Sequence, residues 1–160
     1  MNTQTLINKF YQSFASGDVE SMITCYHDDV VFHDPAFGTL HGERAKSMWR
    51  MLLNRADGNI KIQFRNVEAN DISGRADWLA EYHYGPHKRK VINNVSAKFE
   101  FKDGKIIKHT DHFDLWKWTK QALGTTGYLL GWSTFMKNKI QKMTNDSLAK
   151  FISKSGRFSK

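Results

Sequence analysis

The hydrophobic period of this chain shifts from helical to alternating after Leu53, and that shift limits what it can fold into. Up to Leu53, apolar residues recur at helical spacing: Leu6, Ile7, Phe10 and Phe14, then Val19, Met22, Ile23 and Tyr26, then Ala45, Met48, Trp49, Leu52 and Leu53. From Ile60 the period is two, in the runs Ile60, Ile62, Phe64; Trp78, Ala80, Tyr82, Tyr84; Val91, Asn93, Val95, Ala97, Phe99, Phe101; and a last run over residues 106–113. Gly17-Asp18 separates the first two helices, since glycine ends a helix and aspartate caps the next. Pro35 ends a short strand over residues 30–34, while Ser73-Gly74 and Asp103-Gly104 turn the later strands back. Helices first and a meander of strands after them is an α+β layout, with three N-terminal helices covering one face of a curved antiparallel sheet.

The formal net charge is +8, and its location decides its meaning. Residues 1–114 hold fifteen Lys and Arg against fifteen Asp and Glu, whereas residues 115–160 hold nine against Asp146 alone. A neutral body rich in aromatics suits a hydrophobic small molecule and argues against a specific nucleic-acid partner. The basic excess falls where Tyr128, Leu129, Leu130, Trp132, Phe135, Met136, Ile140 and Met143 alternate with Lys137, Lys139 and Lys142. The chain therefore reads as a domain over residues 1–124 and a basic amphipathic helical extension over residues 125–160. The apolar side of the extension packs on the body or on a partner subunit, and weak contact with an anionic membrane is the alternative. Residues 153–160 carry no apolar periodicity and are expected to be mobile. Cys25 is the single cysteine, so it forms no internal disulfide and reads as a small buried hydrophobe. With no secretion signal in residues 1–10 and no long apolar run, a cytoplasmic setting is expected.

Two motifs carry a family resemblance. Tyr26-His27-Asp28-Asp29-Val30-Val31-Phe32-His33-Asp34-Pro35, followed by His41-Gly42 and a helix, resembles the nuclear transport factor 2-like superfamily, which includes the ketosteroid isomerases. Asp103-Gly104-Lys105-Ile106 leading to His109, Asp111 and Asp114, then Gln121-Ala122-Leu123-Gly124, is similar to SnoaL-like polyketide cyclases. The resemblance spans about residues 3–124 and implies a cone-shaped fold with a pocket between sheet and helices, into which Asp34 points. In a ketosteroid isomerase that aspartate is the base, while a tyrosine and a protonated aspartate hold the enolate oxygen. Those two donor positions fall here at Phe10 and Ala97, which leaves the familial steroid isomerisation without its oxyanion donors.

Alternation puts Ile107, His109, Asp111 and Phe113 on one face of the last strand, and the resemblance turns that face inward. The candidate catalytic residues are thus Asp34 as base, with His109 and Asp111 as proton donor and orienting partner. Phe10, Phe14, Trp49, Trp78, Tyr82, Asn93 and Phe113 form the candidate ligand-binding wall. Structural readings stand beside these: Asp34 can cap the Pro35 turn, His109 and Asp111 can satisfy each other, Asn93 can make a structural hydrogen bond, and Asp114 suits a helix N-cap. The remaining histidines show no metal-ligand spacing, so neither a metal nor a cofactor is expected. The function expected is cofactor-free acid/base chemistry of isomerase, cyclase or hydratase type. The alternative is a non-catalytic ligand-binding or dimerisation module, and in either case a homodimer formed through the exposed face of the sheet.

Overall fold

Side-chain caps set the first helices. In the computed structural model, which describes residues 1–157, Asn2 accepts a hydrogen bond from the Thr5 amide at 2.7 Å and opens helix α1 (Thr3–Ser16). Gly17 closes α1 in the left-handed region at φ 76°, which suits glycine because it has no Cβ to clash. Asp18 accepts from the Ser21 amide at 3.0 Å and opens α2 (Val19–Ile23). This helix stops short of Tyr26, because Tyr26 already pairs with Ile106 as the first residue of strand β1 (Tyr26–Asp34). After β2 (Gly38–His41) comes α3 (Glu43–Ala56), followed by the meander β3 (Ile60–Ala69), β4 (Ser73–Tyr84), β5 (Arg89–Lys102) and β6 (Lys105–His112). Three more helices close the described chain: α4 (Leu115–Leu123), capped by Asp114 on the Lys117 amide, α5 (Thr125–Leu130) and α6 (Thr134–Arg157).

The six strands form one curved, unclosed sheet in the order β2-β1-β6-β5-β4-β3. The sheet is mixed, which corrects the antiparallel expectation: β1 and β6 run parallel, with Phe32 opposite His109 and His33 opposite Thr110. The intervening helix and meander form the long crossover that a parallel pair requires. Carried one residue further, this register sets Asp34 beside Asp111 on neighbouring strands, roughly 5 Å apart at the backbone.

The face assignment of β6 also changes along its length. Between Phe101, opposite Ile106, and Glu100, opposite Lys108, the register slips, so Ile107 has no direct partner. Ile106 is therefore buried, and Ile107, expected to share the face of His109, is displaced from it by the bulge.

Helices α1 and α3 bury Leu6, Ile7, Phe10, Tyr11, Phe14, Met48 and Trp49 against Phe32, Phe99 and Ile106 on the inner face of the sheet. The last helix joins this body. Leu148 lies in the main core, Met136 and Ile140 pack with Val91, Trp118 and Ala122, and Thr144 and Asn145 donate to the Ala36 and Phe37 carbonyls at 2.8 Å. Residues 153–157, expected to be mobile, continue α6, and residues 158–160 lie outside the described residues.

Tyr11 holds the one buried side-chain polar atom without a hydrogen-bond partner among the described residues. A buried hydroxyl without a partner costs free energy, so Tyr11→Phe is expected to stabilise the fold by about 1 kcal/mol in denaturant unfolding.

Candidate functional site

Asp34 sits where β1 ends and Pro35 forces a turn. Its Oδ1 accepts from the backbone amides of Ala36 at 2.9 Å and Phe37 at 2.6 Å, so the capping role is real. Its Oδ2 has no protein partner among the described residues and faces a cavity of about 850 Å³ that Asp34 lines. Burial raises the Asp34 carboxyl, the Phe37 and Ala36 amides oppose it and the neighbouring Asp111 charge adds to it, so that together they push it up to about 7. A carboxyl in this state is partly protonated at neutral pH.

Asp111 lines the same cavity and is likewise held by one oxygen. Its Oδ1 lies 2.8 Å from His109 Nε2 and accepts from Trp78 Nε1 at 3.3 Å, while Oδ2 has no protein partner among the described residues. Behind it, His109 Nδ1 lies 2.7 Å from Tyr26 Oη, which accepts from Trp49 Nε1 at 2.9 Å. Counting donors assigns the protons. Asp111 Oδ1 accepts, so Nε2–H donates to it, and in that tautomer Nδ1 accepts from the Tyr26 hydroxyl. The result is a four-member chain, Trp49 to Tyr26 to His109 to Asp111, with every hydrogen used. Phe10, Phe32, Trp49 and Phe99 surround the imidazole with ring centroids 4.5 to 6.1 Å away, and burial holds the Tyr26 hydroxyl well above its ordinary range.

The cavity wall contains Phe14, Trp49, Trp78, Tyr82, Asn93 and Phe113 from the sequence-predicted set. Phe10 does not line it; fully buried, it packs edge-on against His109 at 5.4 Å, one layer back. His109 is also fully enclosed, so Asp111 is the member of the pair that reaches the cavity, with His109 hydrogen-bonded behind it. Two wall residues carry unengaged donors among the described residues. Tyr82 Oη accepts from Trp118 Nε1 at 2.7 Å but keeps its own proton free, and the Asn93 amide makes no side-chain hydrogen bond. Register places Tyr82 opposite Val91 and Ala80 opposite Asn93, which puts Asn93 diagonally beside Tyr82.

Sequence reasoning missed two parts of the site. Tyr26 reads as the last apolar residue of a helix, and only its pairing with β6 brings it to His109. Met143, Thr144 and Ser147 on α6 line the cavity as well; they share the helix face of Met136, Ile140 and Leu148, a periodicity that was available as a signal. Among the described residues no group of three or more His, Cys, Asp or Glu is placed to hold a metal ion.

Residues 7–109 match the SnoaL-like domain. The chain belongs to that family. No curated protein matches this SnoaL-like chain. Among solved structures it is similar to an epoxide hydrolase from M. tuberculosis resembling the LEH type, at 22% identity and TM-score 0.59, covering 80% of this chain and 96% of that one. It is also similar to a candidate polyketide cyclase from Xanthomonas campestris pv. campestris, at 22% identity and TM-score 0.59, covering 73% and 93%. Bal32a, from a soil-derived mobile gene cassette, aligns at 21% identity and TM-score 0.62, covering 73% and 93%. Likeness at this level of identity fixes the fold. The activity has to be read from the site.

Proposed function

We propose that this SnoaL-like protein is a cofactor-free acid/base enzyme of isomerase, cyclase or hydratase type acting on a hydrophobic small molecule. The observation that carries the reading is the carboxylate pair: Asp34 and Asp111 each have one oxygen held by the protein and the other open to a largely aromatic cavity. Asp34, titrating at about 7, exchanges a proton in either direction near neutral pH. Asp111, fixed by His109 and Trp78, presents Oδ2 as the second proton acceptor. The Tyr82 hydroxyl and the Asn93 amide donate to a substrate oxygen on which charge develops, replacing the donors missing at Phe10 and Ala97. The cyclase and epoxide hydrolase descriptions of structural neighbours agree with chemistry of this kind.

A non-catalytic binding module draws on one observation, the complete internal satisfaction of His109. A homodimer through the outer face of the sheet remains part of the reading. That face carries Arg75, Lys98, Glu100, Lys108 and Thr110, so the interface would be polar and hydrated, and sedimentation equilibrium at micromolar concentration tests it.

The proton-transfer claim is tested by incubating the protein with a panel of hydrophobic ketones in D2O and following deuterium uptake next to the carbonyl by mass spectrometry. Protein-dependent exchange is expected, slowed about a hundredfold by Tyr82→Phe. A ketone that binds yet exchanges only at the solvent rate would favour the binding module.

A further inference from the structure

One corner of the molecule exposes apolar surface that the core does not use. Trp132 and Phe135 are each 70% exposed, Tyr128 is 62% and Leu129 59% exposed, and Leu130 stands beside them. The corner is built to hold these side chains outward. A Cβ on Gly127 would lie 1.9 Å from the Thr119 carbonyl oxygen, so only glycine lets α5 lie this close on α4, and Gly131 meets the Thr119 side chain in the same way. Trp116 Nε1 donates to the Tyr128 carbonyl at 3.2 Å, and Trp132 Nε1 donates to the Leu129 carbonyl at 3.0 Å, which satisfies both indoles while their rings face out. Ser133 then starts α6 by accepting from the Met136 amide at 3.1 Å. The apolar surface is therefore a fixed feature of a hydrogen-bonded corner.

The charge around it is mainly positive, with Lys142 paired to Asp146 at 2.7 Å. Lys117, Lys137, Lys139 and Lys142 are exposed, Lys120 lies 4.1 Å from the Trp116 ring centroid, and Asp146 is the single acidic residue beyond position 114. Helical spacing puts Lys139 and Lys142 on the side of α6 that Phe135 occupies, opposite the buried Met136 and Ile140. Aromatic rings flanked by lysines match a bilayer interface, where rings enter the headgroup layer and ammonium groups meet anionic lipid. A second copy of the chain fits worse, because a two-fold contact here would set these lysines against their own copies.

We propose that the α5–α6 corner docks the protein on anionic membranes by inserting Trp132, Phe135 and Leu129. The cavity wall takes Met143, Thr144 and Ser147 from the other face of the same helix, so docking leaves the cavity unobstructed. No helix among the described residues is long and apolar enough to cross a membrane, and the contact is peripheral.

The test is co-sedimentation of the full chain with vesicles of phosphatidylcholine, either pure or containing about one-third phosphatidylglycerol, at low and high salt. Binding is expected only to the anionic vesicles and at low salt. W132A/F135A should lower the partition coefficient about tenfold or more with an unchanged melting temperature, since both side chains are exposed. K120E/K139E should abolish binding. Three results would overturn the proposal: no binding by the wild type at low salt, binding that W132A/F135A leaves intact, or a lipid-free assembly that W132A/F135A dissociates, which would make the corner a self-association surface.

Discussion

Asp34→Asn is expected to abolish proton exchange and, at the same time, to stabilise the protein above neutral pH. Both effects follow from the carboxyl being raised to about 7 from an ordinary value of 3.8. Between those two pH values the folded protein holds a proton that the unfolded chain has released, so this group makes the fold more stable at low pH. That stability is lost as pH rises through 7. At about 1.36 kcal/mol per pH unit, the loss is on the order of 4 kcal/mol by pH 8. Asparagine keeps an acceptor for the Ala36 and Phe37 amides and cannot ionise. The melting temperatures of wild type and variant should therefore be similar near pH 4 and differ by about 10 °C at pH 8, with the variant higher. Parallel curves across that range would mean that Asp34 titrates normally and is not a near-neutral proton carrier.

The second large effect belongs to the buried chain behind Asp111. His109→Ala removes both the donor to Asp111 Oδ1 and the acceptor of the Tyr26 hydroxyl, and it opens a void among Phe10, Phe32, Trp49 and Phe99. A loss of about 3 to 5 kcal/mol is expected, because two buried polar groups lose partners while the ring packing collapses only in part. His109→Phe separates the two causes: it refills the aromatic volume but restores no hydrogen bond. A double-mutant cycle of His109→Phe with Tyr26→Phe should show a coupling of about 1 to 3 kcal/mol, since each single change orphans a group that the double change removes. Additive losses in chemical denaturation would mean that Tyr26 and His109 do not act as one network.

The parts of the fold legible in the sequence are those that local chemistry determines. The helical and strand periods give the order of α1 to α3 and of β3 to β6, Asp114 is the expected N-cap, and Asp34-Pro35 marks the turn that aims a carboxylate, whereas β2 is a strand where the glycines suggest only a turn. Pairings between distant segments were not legible. Phe32 and His109 lie 77 positions apart, and nothing local to either dictates a parallel register, yet that register sets Asp34 beside Asp111. The bulge at Ile107 is hidden for the same reason, since it is a mismatch between two strands and leaves no mark on the alternation of one. The resemblance places Phe10 at the family's oxyanion position, but an aligned position does not distinguish the layer that packs on His109 from the layer that meets the void.

Asp34 and Asp111 face one apolar cavity, and the central claim is that burial beside Asp111 turns Asp34 into a near-neutral proton carrier. The most direct measurement is the pH titration of the Asp34 side-chain 13Cγ resonance, assigned by comparison with Asp34→Asn. A midpoint near 7 that falls when Asp111→Asn removes the neighbouring charge is the predicted result. A midpoint near 4, unchanged by Asp111→Asn, would contradict it.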